Sequence, residues 1–281
     1  MIEALRRHSR PILLSGLGLA ALAILVRLFW PGAGTIFEVA LLVGTGLGLV
    51  GAAGILLPVG DVPDAPVREV HPPVTGRWLA LNSPATRVPS HGTRGYGQSH
   101  AIDLVYDPLP EEGHGTRPEF GAGPGMRPAE DYPAFGQPVL AMVTGTVVRV
   151  TDGTRDHRSR TKIWSVAYLF AEAAFRDLAG PSAVLGNHVV IDAGDGSFAL
   201  VAHLVKGSVA VRVGDRVEAG QQIGRCGNSG NSTEPHVHAH LMDRPDATAA
   251  RGLPLRFTGI RVDDGPPTAG VPENGKHLTT T

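Results

Sequence analysis

Two runs near the N-terminus, PILLSGLGLAALAILVRLFW (residues 11–30) and IFEVALLVGTGLGLVGAAGILLP (36–58), are apolar over lengths that match the thickness of a bilayer. Backbone amides in hydrocarbon find no water to bond, so segments of this kind cross as helices that satisfy their own backbone. Residues 1–60 are therefore expected to form a membrane anchor of two transmembrane helices, joined by the short loop PGAGT, with Trp30 at an interface. A cleaved signal peptide fits less well, because a second apolar run follows the first and no clean small-residue cleavage pattern separates them.

Beyond the anchor the composition changes. Glycine (37 residues) and proline (23) are abundant and aromatic residues make up only 5%, a balance that favours short strands and many turns over a helical bundle. Residues 61–77 are Pro-rich and polar and read as a linker, 78–264 as the folded domain, and 265–281 as a flexible tail. Within the domain, β-branched runs at 137–150, 186–204, 208–224 and 236–242 alternate with turn signals, DAGDGS (192–197) being a hairpin turn. Two stretches interrupt that rhythm: a Gly/Pro-rich loop over 107–136, and KIWSVAYLFAEAAFRDLAG (162–180), whose apolar spacing is helical and which Gly180 would stop. The expectation is a mainly β domain, an antiparallel β-sheet or barrel-sandwich with a helical insertion, preceded by two N-terminal transmembrane helices.

The formal net charge is −1 and no long basic run occurs, which argues against a nucleic-acid partner held through phosphates. Cys226 is the single cysteine, so neither an intrachain disulfide nor a cysteine-based zinc site can form, and any metal must be held by His, Asp or Glu. That directs attention to NSTEPHVHAHLMD (231–243), where His236, His238 and His240 stand at alternate positions. In an extended strand such residues share a face at about 6–7 Å per step. Two imidazoles at that spacing can share one ion, or one can bind it while its neighbour handles protons.

The run VRVGDRVEAGQQIGRCGNSGNSTEPHVHAHL, with the upstream AHL and PVLAMVTGTVVRV segments, resembles the lysostaphin and LytM type of zinc peptidase, family M23, over residues 78–245. The resemblance implies a peptidase fold with Zn2+ as cofactor, and a membrane-tethered endopeptidase whose partner is a peptidoglycan peptide substrate. It implies that His238 and Asp103 are zinc ligands, and that His203 and His236 are the non-ligand histidines that do the proton-handling and oxyanion work. Zinc with three protein ligands keeps an open position for water and polarises a carbonyl, and a neighbouring imidazole can take the water's proton.

The chain departs from the family pattern at the first ligand. The family has H-x-x-x-D, whereas Ser99 stands four residues before Asp103. If 99–105 is a strand, His100 faces away from Asp103, so His91 is the favoured third ligand and His100 the alternative. Should neither serve, the domain would be an inactive M23-like regulator or binding module for cell-wall hydrolases. A third reading, a biotinyl-type carrier, lacks the lysine such a hairpin needs. Blander roles are expected elsewhere: His240 lining the groove, His188 as a satisfied strand histidine, His114 and His157 solvated, Cys226 a buried filler, and the arginines of 155–160 solvated or on a membrane surface.

Location poses a conflict. Arg6, Arg7 and Arg10 favour a cytoplasmic N-terminus, and an even number of spans would return the domain to that side. A wall substrate requires the catalytic domain to be extracytoplasmic, by an inverted hairpin or by a first segment lying along the interface.

Overall fold

The computed structural model describes residues 2–30, 32, 34–57, 60–113 and 115–280, and the chain divides into two compact units, Met1–Val59 and Gly60–Thr281. The first unit is a pair of helices, α1 (Ile2–Phe29) and α2 (Gly34–Leu56), each long and apolar enough to cross a membrane. At about 1.5 Å per residue both exceed the roughly 30 Å of a hydrocarbon core. They approach closely through glycine: a Cβ on Gly16 would lie 2.3 Å from the Gly48 nitrogen, and one on Gly51 2.4 Å from that of Leu13. Small residues of this kind let helices pack where no hydrophobic force drives them together.

The second unit is mostly β-sheet. In chain order it holds β1 (Arg68–Val70), β2 (Gly76–Leu81), β3 (Ile102–Tyr106), β4 (Met126–Arg127), β5 (Pro138–Leu140), β6 (Gly145–Thr151) and β7 (Ser159–Arg160). Two helices follow, α3 (Ile163–Ala179) and α4 (Pro181–Leu185), and then β8 (Asn187–Asp192), β9 (Phe198–Leu204), β10 (Arg216–Val217) and β11 (Gln222–Arg225). The last five strands are β12 (Val237–Met242), β13 (Gly252–Leu253), β14 (Leu255–Val262), β15 (Thr268–Gly270) and β16 (His277–Thr280).

Ten of these strands run in the order β1-β14-β16-β2-β3-β12-β9-β8-β6-β10, with β13 against β12 and β15 against β14. All pairs are antiparallel except β1 with β14. The β8–β9 hairpin turns through Asp192–Ser197, whose Asp192 and Asp195 side chains accept bonds from the turn's own amides. One face of the sheet buries a continuous apolar core that includes Trp78, Leu104, Ile191, Leu241 and Phe257. Burying each such side chain contributes about 1.5–3 kcal/mol.

Two expected boundaries differ. The tail is not loose: β16 pairs with both β14 and β2, and Leu278 is fully buried in the core. The segment expected to be a linker already contains β1, which pairs with β14, and the start of β2. Polar, Gly/Pro-rich sequence conceals both, since a three- or four-residue strand added to an existing sheet edge needs only one or two apolar anchors, here Val70 and Leu278.

Candidate metal centre

Strand β12 lies between β3 and β9, with His238 opposite Asp103 on one side and Ala202 on the other. Val237, Ala239 and Leu241 of β12 enter the main core, so His236, His238 and His240 share the opposite face. The same alternation on β3 sends Ile102 and Leu104 to the core and Asp103 to the histidine face. Residues directly opposite in an antiparallel pair stand close enough for their side chains to touch.

His203 reaches this face by a different route. Alternation along β9 puts Ala199 and Val201 in the main core and Leu200 and Ala202 opposite, so a regular strand would turn His203 into the core. Instead the β8–β9 register slips by one residue between the Asn187↔Leu204 and Val189↔Val201 pairs, and His203 has φ +62°, in the left-handed region. Leu204 then returns to the core. An extra residue in one strand re-aims a side chain in this way, and a left-handed non-glycine residue costs on the order of 1–3 kcal/mol, which the surroundings must offset.

The result is one cluster of five groups. His91 Nε2 lies 3.0 Å from Asp103 Oδ2, while His238 Nδ1 lies 2.9 Å and His236 Nε2 3.5 Å from Asp103 Oδ1. The His203 and His236 rings are 4.7 Å apart, and those of His91 and His238 4.9 Å. Two overlapping sets of three, His91–Asp103–His238 and His203–His236–His238, each bring their candidate donor atoms within 4.8 Å of one another. Two imidazoles and a carboxylate are a donor set that suits zinc, and the first set supplies the anion that a dication in a buried site requires.

Outer partners orient the rings. His203 Nδ1 lies 2.8 Å from the Ser229 carbonyl oxygen and His236 Nδ1 2.8 Å from that of Glu234. A carbonyl only accepts, so each Nδ1 carries the proton; the His203 ring, held neutral, keeps its Nε2 lone pair for the site, while His236 turns its Nε2 towards Asp103. The turn that offers Ser229 is itself fixed: Ser229 Oγ donates to the Leu204 carbonyl, and Gly230 has φ +75° with no room for a Cβ, which would stand 2.4 Å from the Gly186 nitrogen. His91 Nδ1 faces Ser90 Oγ at 3.0 Å.

Burial and charge act in opposite senses here. Burial would push the Asp103 carboxyl up, but the charges of His91 and His236 and the bonds from His236 and His238 outweigh it and hold it well below the usual carboxylate range. Burial, with His236 and His238 adding to it, holds His203 well below the ordinary imidazole value. For His236 burial again opposes charging, yet the Asp103 carboxylate beside it raises the pKa.

The structure brings together His91, Asp103, His203, His236 and His238, and leaves His100 out. The reason is not strand alternation, because β3 begins at Ile102 and His100 sits in the turn before it, its Nδ1 against Ser99 Oγ at 3.2 Å. His240 does not line a groove: it is fully buried, with Nδ1 3.0 Å from His238 Nε2, and so braces that ring from behind. His157 is buried rather than solvated, its Nε2 bonded to the Gly230 carbonyl, and Arg160 is buried against Glu172. His188 bonds the carbonyl of Gly186, just before its strand, Cys226 is buried, and His114 lies outside the described residues. Sequence reading missed Asn82, whose Nδ2 donates to Asp103 Oδ2 at 2.8 Å from a residue with φ +45°. Its only signal was an asparagine in a turn sequence, a residue type that tolerates that conformation.

Comparisons with known proteins match parts of this chain. A 59-residue stretch, 21% of the chain, is 42% identical to the peptidoglycan DD-endopeptidase ShyA of Vibrio cholerae and spans 13% of that relative's length. Among solved structures, the catalytic domain of lysostaphin from Staphylococcus simulans is 21% identical, covering 56% of this chain and 78% of that one at a TM-score of 0.31. The deep-sea M23 metalloprotease pseudoalterin is 14% identical, covering 72% and 95% at 0.36. A zinc-containing peptidase from Vibrio cholerae is 20% identical, covering 68% and 40% at 0.29. At these TM-scores none of the superpositions bears on the site. The model of peptidase family M23 matches residues 175–250, the stretch that carries β8, β9, the 229–230 turn and the histidine strand.

Proposed function

We propose that the chain is a membrane-anchored zinc endopeptidase that hydrolyses peptide bonds in peptidoglycan. The observation that supports it most is the meeting of His91, Asp103 and His238 on one face, a complete set of three donors beside two further histidines. A non-catalytic regulator would have no need of that completeness. The family match and the endopeptidase relative supply the substrate class.

In this reading His91, Asp103 and His238 would hold the ion, which when bound would lower the pKa of water towards 7 and polarise a peptide carbonyl. Asn82, Ser90 and His240 orient those three. His203 and His236 present Nε2 to the site, where they take the proton of the attacking water, return it to the leaving amine, and stabilise the developing oxyanion. The two share this work.

Metal analysis tests the ligand assignment. His91→Ala is expected to lose zinc and muropeptide cleavage together, and His100→Ala to keep both. The opposite outcome would move the third ligand to His100, and retention of zinc and cleavage by both variants would remove the assignment.

A wall substrate places residues 60–281 outside the cytoplasmic membrane, against the bias set by Arg6, Arg7 and Arg10. An alkaline phosphatase fused after residue 70 is then expected to be active. A silent phosphatase fusion beside a fluorescent protein fusion that is bright at the same point would put the domain in the cytoplasm.

A further inference from the structure

Helix α3 is built inside out. Its well-exposed positions are Ile163, Trp164, Ala167, Tyr168, Phe170, Ala171, Ala174, Phe175, Leu178 and Ala179, and not one is charged. Its charged side chains turn towards the protein: Glu172 pairs with Arg160 and Arg176, and Asp177 accepts a hydrogen bond from Tyr96 Oη. A surface helix of a water-soluble domain shows the reverse arrangement. Six large side chains stand 43–77% exposed, Ile163 and Phe175 most of all. At roughly 150–250 Å² for a large side chain, they form an apolar patch of about 600–900 Å², at or above the upper end of what monomers leave in water.

We propose that this face of α3 lies in the interfacial layer of the bilayer that anchors the chain, as a monotopic contact separate from α1 and α2. Two observations favour lipid over protein. The patch's only polar atoms are Trp164 Nε1 and Tyr168 Oη, on the two residue types that settle at the junction of headgroup and acyl chain. The loop leading into the helix carries the exposed Arg155 and Arg158, and Lys162 stands at the helix start, cations placed to meet anionic headgroups. The family match begins only at Phe175, so most of α3 lies outside the matched segment. Through Tyr96 and Asp177 the helix is joined to the 95–97 turn, which stands between His91 and Asp103 in the chain.

The proposal rests on the membrane-anchored reading and is independent of catalysis. Its test uses the full chain carrying Trp30→Phe, reconstituted into phosphatidylcholine–phosphatidylglycerol vesicles with and without brominated acyl chains. Subtracting the Trp30→Phe, Trp164→Phe spectrum isolates Trp164, and Trp78 is an internal reference because it is buried in the sheet core. The Trp164 emission is expected to be blue-shifted and lost in brominated vesicles, and to return to the red when Phe170 and Phe175 are both changed to aspartate. A chain that floats with the vesicles while its Trp164 is unquenched and accessible to acrylamide overturns the proposal. Shielding from acrylamide without quenching by bromine also overturns it and assigns the face to a second copy or another protein. A chain that fails to float would instead count against the anchor.

Discussion

Asp103→Ala is expected to abolish both zinc retention and peptide hydrolysis, the largest effect of any single substitution in the chain. Its two carboxylate oxygens are approached by Asn82, His91, His236 and His238, and among the described residues it is the only acid in the cluster. Removing it takes away the one anion that balances a dication and leaves buried donors without an acceptor, at about 1–3 kcal/mol for each unsatisfied group. Loss of metal should therefore accompany some loss of stability. Zinc content and thermal unfolding of the same preparation separate the two: a folded variant with no zinc and no cleavage is the expected result. A variant that binds zinc stoichiometrically would exclude Asp103 as a ligand.

The second large effect concerns His203 and His236. Their Nδ1 atoms are committed to the carbonyls of Ser229 and Glu234, and their Nε2 atoms are left for the site. In the proton-handling role proposed for them, each should leave zinc in place when changed to alanine while turnover falls about 10²- to 10⁴-fold. The measurement also decides between the two overlapping sets of donors, since His203–His236–His238 is close enough to hold an ion as well. Zinc lost in either variant would shift the metal to that set, and full activity in both would remove them from the chemistry.

What the sequence made legible and what it hid divide along a physical line. Alternation within one strand is local, so the shared face of His236, His238 and His240 and the stop of α3 at Gly180 could be read directly. Features that depend on partners far away could not. The β16 strand pairs with β2 across about 200 residues, and nothing in the polar sequence around His277 announces it. The bulge that turns His203 into the site is a slip between strands, and it leaves no mark on a sequence that reads as plain alternation. Asn82 is recognisable as part of the site only once β2 is known to end beside Asp103. The α3 segment is apolar at helical spacing, which fits a helix facing a core as well as one facing lipid, and only the packed structure shows which way the face points.

The central claim is that cleavage of peptidoglycan peptides depends on an ion held by His91, Asp103 and His238. The most direct measurement is mass spectrometry of cross-linked muropeptides incubated with the purified chain, before chelation, after chelation, and after zinc is restored. Cleavage with addition of one water across a peptide bond, its loss on chelation, and its return with zinc are expected. Undiminished cleavage by the metal-free chain, or a fully zinc-loaded chain that cleaves no muropeptide bond, would contradict it.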